Sequence, residues 1–112
     1  MVARRGEIWL VDFGEPVGRE QGHRRPALII SDDRLNSSRA DLAIVVPMTT
    51  KMRGLPSHIE IEPGDSGLKH ISYAKAEDVK SVSTNRLIQR LGVVPADRLR
   101  RAEHVLRRLL GL

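Results

Sequence analysis

LAIVVPM, residues 42–48, is a continuous apolar run of the kind found in strands that are buried on both faces. Two other short runs, EIWLVDF at residues 7–13 and PALIIS at residues 26–31, are rich in β-forming residues and bounded by Gly or polar turn residues. HIEIE at residues 58–62 alternates with period two, which predicts a half-exposed strand. One or two further strands are predicted within residues 69–82. The chain is therefore expected to be mainly β.

Helical signals are concentrated at the end of the chain. Asp32 is predicted to cap a single helical turn, and Ser83 or Thr84 a short helix at residues 85–88. Pro95 opens a longer helix that Gly111 ends, with an apolar stripe formed by Leu99, Ala102, Leu106 and Leu109. Short strands followed by a terminal amphipathic helix predict a small barrel, made of a strongly bent antiparallel sheet with short helices packed outside, and α+β by content.

Length and composition restrict the class of protein. The 112 residues suffice for one domain, so residues 1–112 are expected to share one core. With 29% charged residues and no apolar run near the roughly 20 residues of a membrane helix, the chain is expected to be soluble. The absence of cysteine excludes a disulfide framework, a zinc ribbon and thiol catalysis. These features predict a cytoplasmic protein.

The charge balance indicates a polyanionic partner. The formal charge is +5, and most of the 19 cationic residues are Arg, whose planar guanidinium suits phosphates and base edges. The Arg residues of the terminal helix could touch nucleic acid or a membrane, but a solvated face opposite the apolar stripe is the favoured interpretation. Position along the chain must therefore decide which cations bind.

The loop before the second strand carries the strongest chemical signal. Between flexible glycines it places cations, an acid, an amide and an imidazole, namely Arg19, Glu20, Gln21, His23, Arg24 and Arg25. Pro26 favours an extended backbone at Arg25, which fixes the direction of that side chain. A fixed guanidinium could hold a phosphodiester and offset the charge that develops during its cleavage. A solvated polar loop is the alternative reading.

Hydroxyl and charged side chains elsewhere are weaker candidates. Thr49 and Thr50 follow the buried 42–48 run, where a hydroxyl can leave the core and meet a ligand. Lys75 and Glu77 are expected on one face of a strand, with Asp78 beside them, and could bind substrate or transfer a proton. Ordinary strand-end threonines and a surface ion pair are the simpler explanations.

Other motifs are less persuasive. Gly64-Asp65-Ser66-Gly67 is interpreted as a turn, because this chain is too short for the double barrel of a serine protease. The four histidines lack the spacing of a metal site, so no metal ligands are predicted, and each is expected on the surface or on a strand face: His23, His58, His70 and His104.

Four blocks together resemble the MazF/PemK/Kid toxins in order and spacing. They are Arg5-Gly6-Glu7-Ile8-Trp9, Gly18-x-Glu20-Gln21-Gly22-x-x-Arg25-Pro26-Ala27-Leu28-Ile29-Ile30, Val45-Val46-Pro47-Met48-Thr49 and Glu77-Asp78-Val79-Lys80-Ser81-Val82. The resemblance spans nearly the whole chain. It implies an SH3-like barrel of the CcdB/MazF type, a homodimer, and metal-independent, sequence-selective cleavage of single-stranded RNA without the ribosome or any cofactor. It also implies a partner antitoxin whose flexible C-terminal tail covers the RNA groove.

Carried over by position, the resemblance makes Arg25 and Thr49 the catalytic pair. The substrate-binding positions that it and the residue pattern indicate are Arg19, Glu20, Gln21, His23, Arg24, Thr50, Lys75, Glu77 and Asp78. Lys75-Ala76-Glu77 stands where the plasmid-borne branch has Arg-x-Asp, and Arg19 where that branch has a loop histidine. Asp78 replaces the Gln of many chromosomal members, which is expected to alter base recognition.

Two other classes of function remain open at this point. The same fold could serve a toxin that poisons gyrase, as CcdB proteins do, or a plain RNA-binding module. The block from Gly18 to Pro26 favours the nuclease, because a gyrase binder would not require it. A degenerate toxin without activity is a third possibility, which the presence of Arg25 and Thr49 makes less attractive.

Overall fold

The computed structural model describes residues 2–14 and 23–112. The strands are β1 (Glu7–Asp12), β2 (Arg24–Ile29), β3 (Leu42–Thr49), β4 (His58–Ile61), β5 (Ser72–Lys75), β6 (Lys80–Ser83) and β7 (Leu87–Val93). The helices are α1 (Asp33–Asn36) and α2 (Ala96–Leu110), and two 3-10 turns cover Ala76–Asp78 and Thr84–Arg86. No helix in the described ranges has the length and apolar character needed to cross a membrane.

Among the described residues the strands form one antiparallel sheet in the order β4-β5-β3-β2-β1-β7. The long strand β3 pairs with β2 along one edge, while its other edge pairs first with β6 and then with β5. The change of partner requires the Ala76–Asp78 turn between β5 and β6. The mainly β, antiparallel architecture with a terminal helix confirms the fold predicted from the sequence.

The sheet buries apolar side chains on both faces. Met48 and Val46 belong to a first cluster that includes Ala102, Val105 and Leu106 of α2. Val45 belongs to a second cluster, on the opposite face, with Trp9, Val11, Ala27 and Ile29. Since successive side chains of a strand point to opposite faces, β3 contributes to both clusters. This explains why residues 42–48 are apolar without alternation.

The ends of α2 follow the predicted signals, but its buried stripe is shorter than predicted. Gly111 adopts the left-handed conformation, with φ 71°, and ends the helix. Leu99 is partly buried against the first cluster, and the buried set ends at Leu106. Leu109 was predicted to continue the stripe but is 50% exposed, because the core cluster does not reach the last turn of the helix.

The predicted helix at residues 85–88 is wrong. Ser83 does act as a cap, accepting a hydrogen bond from the backbone N–H of Asn85, but the cap opens a 3-10 turn that ends at Arg86. Residues 87–93 then form β7, which pairs with β1 and was not predicted. Two register shifts along this pairing break the period-two alternation by which a strand is recognised.

The other element boundaries agree more closely. Asp32 caps α1 through its side chain, as predicted. Residues 69–82 supply two strands, β5 and β6. The turn predicted at residues 64–67 is present, and the Ser66 hydroxyl donates to the carbonyl oxygen of Glu62 at 2.6 Å. This turn packs directly against β7, since a Cβ atom added to Gly92 would lie 2.1 Å from the carbonyl oxygen of Asp65.

Candidate nucleic-acid interface

Arg25 and Thr49 are brought together by the pairing of β2 with β3. Ala27 pairs with Pro47 and Leu28 with Val46, so the same register continued by two residues sets Arg25 opposite Thr49. Paired residues point to one face of an antiparallel sheet. On its other side Thr49 pairs with Tyr73 of β5. The three side chains therefore form a row across β2, β3 and β5, on the face of the second apolar cluster.

The cations at the start of β2 are accessible. His23, Arg24 and Arg25 are all exposed, and Arg25 forms no ion pair or hydrogen bond with any side chain in residues 2–14 or 23–112. Its backbone is fixed because Val11 pairs with it across the β1–β2 ladder. Arg24 lines an open pocket with His23, Asp12 and Gly14. An exposed guanidinium on a fixed backbone is suited to binding a phosphate.

The Thr49 hydroxyl lies where β3 leaves the core. Its side chain is half-buried, and Oγ1 accepts a hydrogen bond of 3.2 Å from the backbone N–H of Lys51. This leaves the hydroxyl proton free to donate, for example to a phosphate oxygen. Thr50 is exposed at the start of the loop that follows.

Lys75 and Glu77 do not alternate on one strand, and that prediction is wrong. Lys75 ends β5, whereas Glu77 and Asp78 belong to the 3-10 turn. The turn brings Asp78 close to the end of β5, so that Oδ2 of Asp78 forms an ion pair with Nζ of Lys75 at 2.8 Å. Strand periodicity could not anticipate this turn, because it arises from the change of partner along β3.

Glu77 has its own set of partners. Its Oε1 accepts a hydrogen bond of 2.7 Å from Ser57, and its Oε2 lies 2.9 Å from Nε2 of His58. Burial acts to raise the pKa of Glu77, but the hydrogen bonds from Ser57, its own backbone N–H and His58 outweigh it and hold the pKa below its usual value. Glu77 is therefore a carboxylate that already has partners on both oxygens.

His58 opens strand β4 and so lies on a strand face, as predicted, but its side chain is buried. Its imidazole is only 3% exposed, and its Nδ1 atom is buried without a hydrogen-bond partner in the described part of the chain. His23, His70 and His104 are exposed, as expected. No local motif marks His58, because its partner Glu77 is 19 residues away and the two meet only through the pairing of β4 with β5.

Three predicted substrate-binding residues, Arg19, Glu20 and Gln21, lie outside the described residues. Within the described part of the chain, no three His, Asp or Glu side chains gather into a group that could hold a metal ion. The exposed Arg100, Arg101, Arg107 and Arg108 lie on α2, which packs with the first apolar cluster, on the sheet face opposite the row of Arg25, Thr49 and Tyr73.

Comparison with known proteins identifies the fold and the family. A family model described as PemK-like, MazF-like toxin of type II toxin-antitoxin system matches residues 4–110. The endoribonuclease MazF9 of Mycobacterium tuberculosis is 34% identical over 114 aligned residues, which cover 97% of both chains.

Solved structures agree with the family match. The crystal structure of MazF from Deinococcus radiodurans has a TM-score of 0.84 at 29% identity and covers 100% of this chain and 99% of its own. A MazE-MazF structure from the same organism has a TM-score of 0.82 at 29% identity, covering 100% and 98%. The resemblance noted in the sequence is thereby confirmed. This chain belongs to the family of PemK-like, MazF-like toxins of type II toxin–antitoxin systems.

Proposed function

We propose that this chain is the toxin of a type II toxin–antitoxin system and an endoribonuclease that cleaves single-stranded RNA sequence-selectively, without the ribosome. Its family membership and its 34% identity to an endoribonuclease support the activity. The observation that carries the assignment to a site is the exposed Arg25, without a side-chain partner among the described residues, in register with Thr49 at the end of a buried strand.

The proposed reaction is an attack by an RNA 2′-hydroxyl on the adjacent phosphate. A 2′-O–P bond forms and the P–O5′ bond breaks, while the 2′-hydroxyl loses its proton and the 5′-oxygen gains one. The products are a 2′,3′-cyclic phosphate and a 5′-hydroxyl. The nucleophile is already tethered beside the phosphorus, which supplies proximity without a metal.

Arg25 and Thr49 have different roles at the phosphate in this proposal. The guanidinium of Arg25 offsets the negative charge that grows on the equatorial oxygens, and the Thr49 hydroxyl donates a hydrogen bond to one of them. His23, Arg24 and Thr50 flank this pair and bind the neighbouring nucleotides, together with Arg19, Glu20 and Gln21. Tyr73, next in the row, offers a ring on which an unstacked base can lie.

Lys75 and Asp78 are proposed to contact bases as a pair. Lys75 donates and Asp78 accepts, so a base edge with both kinds of group can replace part of their ion pair. Glu77 is a poorer candidate for direct contact, because Ser57 and His58 occupy both of its oxygens.

We also propose a cytoplasmic homodimer that is neutralised by a protein antitoxin. The structural relatives from Deinococcus radiodurans include MazE-MazF complexes, which supports such a partner. A flexible C-terminal tail lying in the RNA groove would compete with RNA for Arg24 and Arg25.

The test is to incubate the purified protein with long single-stranded RNAs in excess EDTA and to map the position and chemistry of every new end. We expect discrete cuts with 5′-hydroxyl ends. Intact RNA across diverse sequences would contradict the nuclease and favour a gyrase-binding toxin or an RNA-binding module on the same fold.

A further inference from the structure

The loop that joins β3 to β4 starts at the proposed catalytic residue Thr49. Residues 50–56 are all exposed, and the loop carries two cations, Lys51 and Arg53. Neither forms an ion pair with a residue in the described ranges. Two unpaired cations so close to Thr49 are suited to phosphates on either side of the cleaved bond.

The far end of this loop is tied to the 3-10 turn by three hydrogen bonds. The backbone N–H of Ala76 donates to the carbonyl oxygen of Ser57 at 3.1 Å. The Ser57 hydroxyl and Nε2 of His58 each contact one oxygen of the Glu77 carboxylate, at 2.7 and 2.9 Å. The loop is thereby held at both ends, by β3 at Thr49 and, at Ser57 and His58, by the pairing of β4 with β5 and by the side chain of Glu77.

The imidazole of His58 is an energetically unfavourable side chain for a buried position. It is 97% shielded, and its Nδ1 atom has no hydrogen-bond partner within residues 2–14 and 23–112. A buried nitrogen without a partner destabilises the folded state. An aliphatic side chain at position 58 would therefore give a more stable protein if packing were the sole requirement. The contact that an aliphatic residue could not make is the hydrogen bond from Nε2 to Glu77.

We propose that His58 and Glu77 are positioning residues, which fix the 50–56 loop so that Lys51 and Arg53 contact RNA phosphates beside the bond held by Arg25 and Thr49. This inference rests on the proposed function in taking RNA as the ligand. It assigns Glu77 a role within the protein in place of the direct RNA contact that its position in the sequence suggested.

The experiment measures the binding of a 2′-O-methyl RNA, which cannot be cleaved by 2′-hydroxyl attack, as a function of salt. Each lost phosphate contact lowers the slope of log Kd against log salt by about 0.7 for a single strand. Lys51→Ala with Arg53→Ala should therefore lower the slope by about 1.4. His58→Leu should lower it by a similar amount, because the loop cations are then no longer held in place.

Three comparisons separate positioning from general destabilisation. His58→Gln keeps a side-chain N–H that can reach Glu77, and should restore the wild-type slope. Adding Lys51→Ala and Arg53→Ala to His58→Leu should lower the slope no further. Arg100→Ala with Arg107→Ala removes the same charge from the exposed face of α2 and should leave the slope unchanged.

An unaltered slope in a folded His58→Leu protein would overturn the inference, as would additive effects of the loop and His58 substitutions. If His58→Leu does not fold, Ser57→Ala and Glu77→Gln apply the same test from less buried positions. Wild-type protein that fails to bind this RNA would also overturn it. Cleavage of unmodified RNA is scored separately, so salt-dependent binding without cleavage would reject the nuclease and leave the positioning role standing.

Discussion

Arg90 of β7 donates from Nε to Oε2 of Glu7 at 2.6 Å, across the pairing of β7 with β1. Glu7 is 9% exposed, and its other oxygen accepts from the backbone N–H of Arg4 at 2.7 Å and from the indole of Trp9 at 3.1 Å. Burial acts to raise the pKa of Glu7, but the hydrogen bonds from Trp9, Arg4 and Arg90 and the charge of Arg90 outweigh it, so the pKa lies below its ordinary value of 4.5.

The first prediction concerns the dependence of stability on pH. A carboxyl whose pKa is lowered by folding binds fewer protons folded than unfolded, so its contribution is complete above about pH 4.5 and is lost as pH falls through the lowered value. Glu7→Gln should reduce the free energy of unfolding by about 1.5–3 kcal/mol at pH 7, the range for hydrogen bonds to charged groups. Urea denaturation of both proteins at pH 7, 5 and 3 measures the difference.

The gap between wild type and Glu7→Gln should narrow between pH 5 and pH 3. An equal gap at pH 7 and pH 3 would show that the charge on Glu7 contributes nothing to stability. Asp97→Asn is a matched control on the surface of α2, where the carboxylate pairs with the side chain of the neighbouring Arg98.

A second prediction concerns the contact between β7 and the turn at residues 64–67. A methyl group at position 92 would lie 2.1 Å from the carbonyl oxygen of Asp65 and 2.4 Å from the carbonyl carbon of Ser66. Both are backbone atoms, so the turn or the strand must shift. Gly92→Ala should destabilise the protein by about 3 kcal/mol or more, beyond typical overpacking.

Thermal unfolding followed by circular dichroism would measure this effect. Gly111→Ala serves for comparison, since its left-handed backbone is strained by a side chain but no atom lies within 4 Å of the added carbon. It should cost only about 1–2 kcal/mol. If the Gly92→Ala protein were as stable as the Gly111→Ala protein, the turn at residues 64–67 would be able to move away from the added methyl group at little cost in free energy.

The fold was predictable where burial and periodicity agree. Residues 42–48 are apolar on both faces because β3 is covered on both sides, and this indicated a central strand directly. Strand β7 was missed because its register shifts against β1 remove the alternation that marks a strand. Such bulges depend on the partner strand, and the sequence of one strand does not by itself specify which strand it pairs with.

The candidate site also contains residues that the sequence indicated and contacts that only the structure shows. Arg25 and Thr49 could be named from the Gly18–Pro26 block and the end of an apolar run, both of which are local signals. Their opposition across β2 and β3 follows from register, which the sequence left undetermined. The His58–Glu77 contact spans 19 residues and carries no motif, so it required the structure.

The third prediction concerns Arg25. If its guanidinium stabilises the transition state, Arg25→Ala should lower kcat by about 10²-fold or more, with a folded protein. Arg25→Lys should recover little of this, because an ammonium lacks the planar fork that binds two phosphate oxygens at once. Single-turnover cleavage of a short RNA containing one mapped site measures the rates, with Arg100→Ala as the matched surface control. A folded Arg25→Ala enzyme with nearly the wild-type rate would remove Arg25 from the mechanism.

The last prediction separates the hydroxyl of Thr49 from its shape. Thr49→Val keeps the β-branched form at the end of β3 and removes the hydroxyl that accepts from the backbone N–H of Lys51. A hydrogen bond to a charged phosphate contributes about 1.5–3 kcal/mol, which corresponds to about a 10- to 100-fold loss of kcat. Thr49→Ser retains the hydroxyl and should keep most of the activity, whereas Thr84→Val, outside the proposed site, should keep all of it. Equal activity of the Val and Ser variants would show that Thr49 has only a structural role at the end of β3. Stabilisation of the phosphate in the transition state would then depend on Arg25.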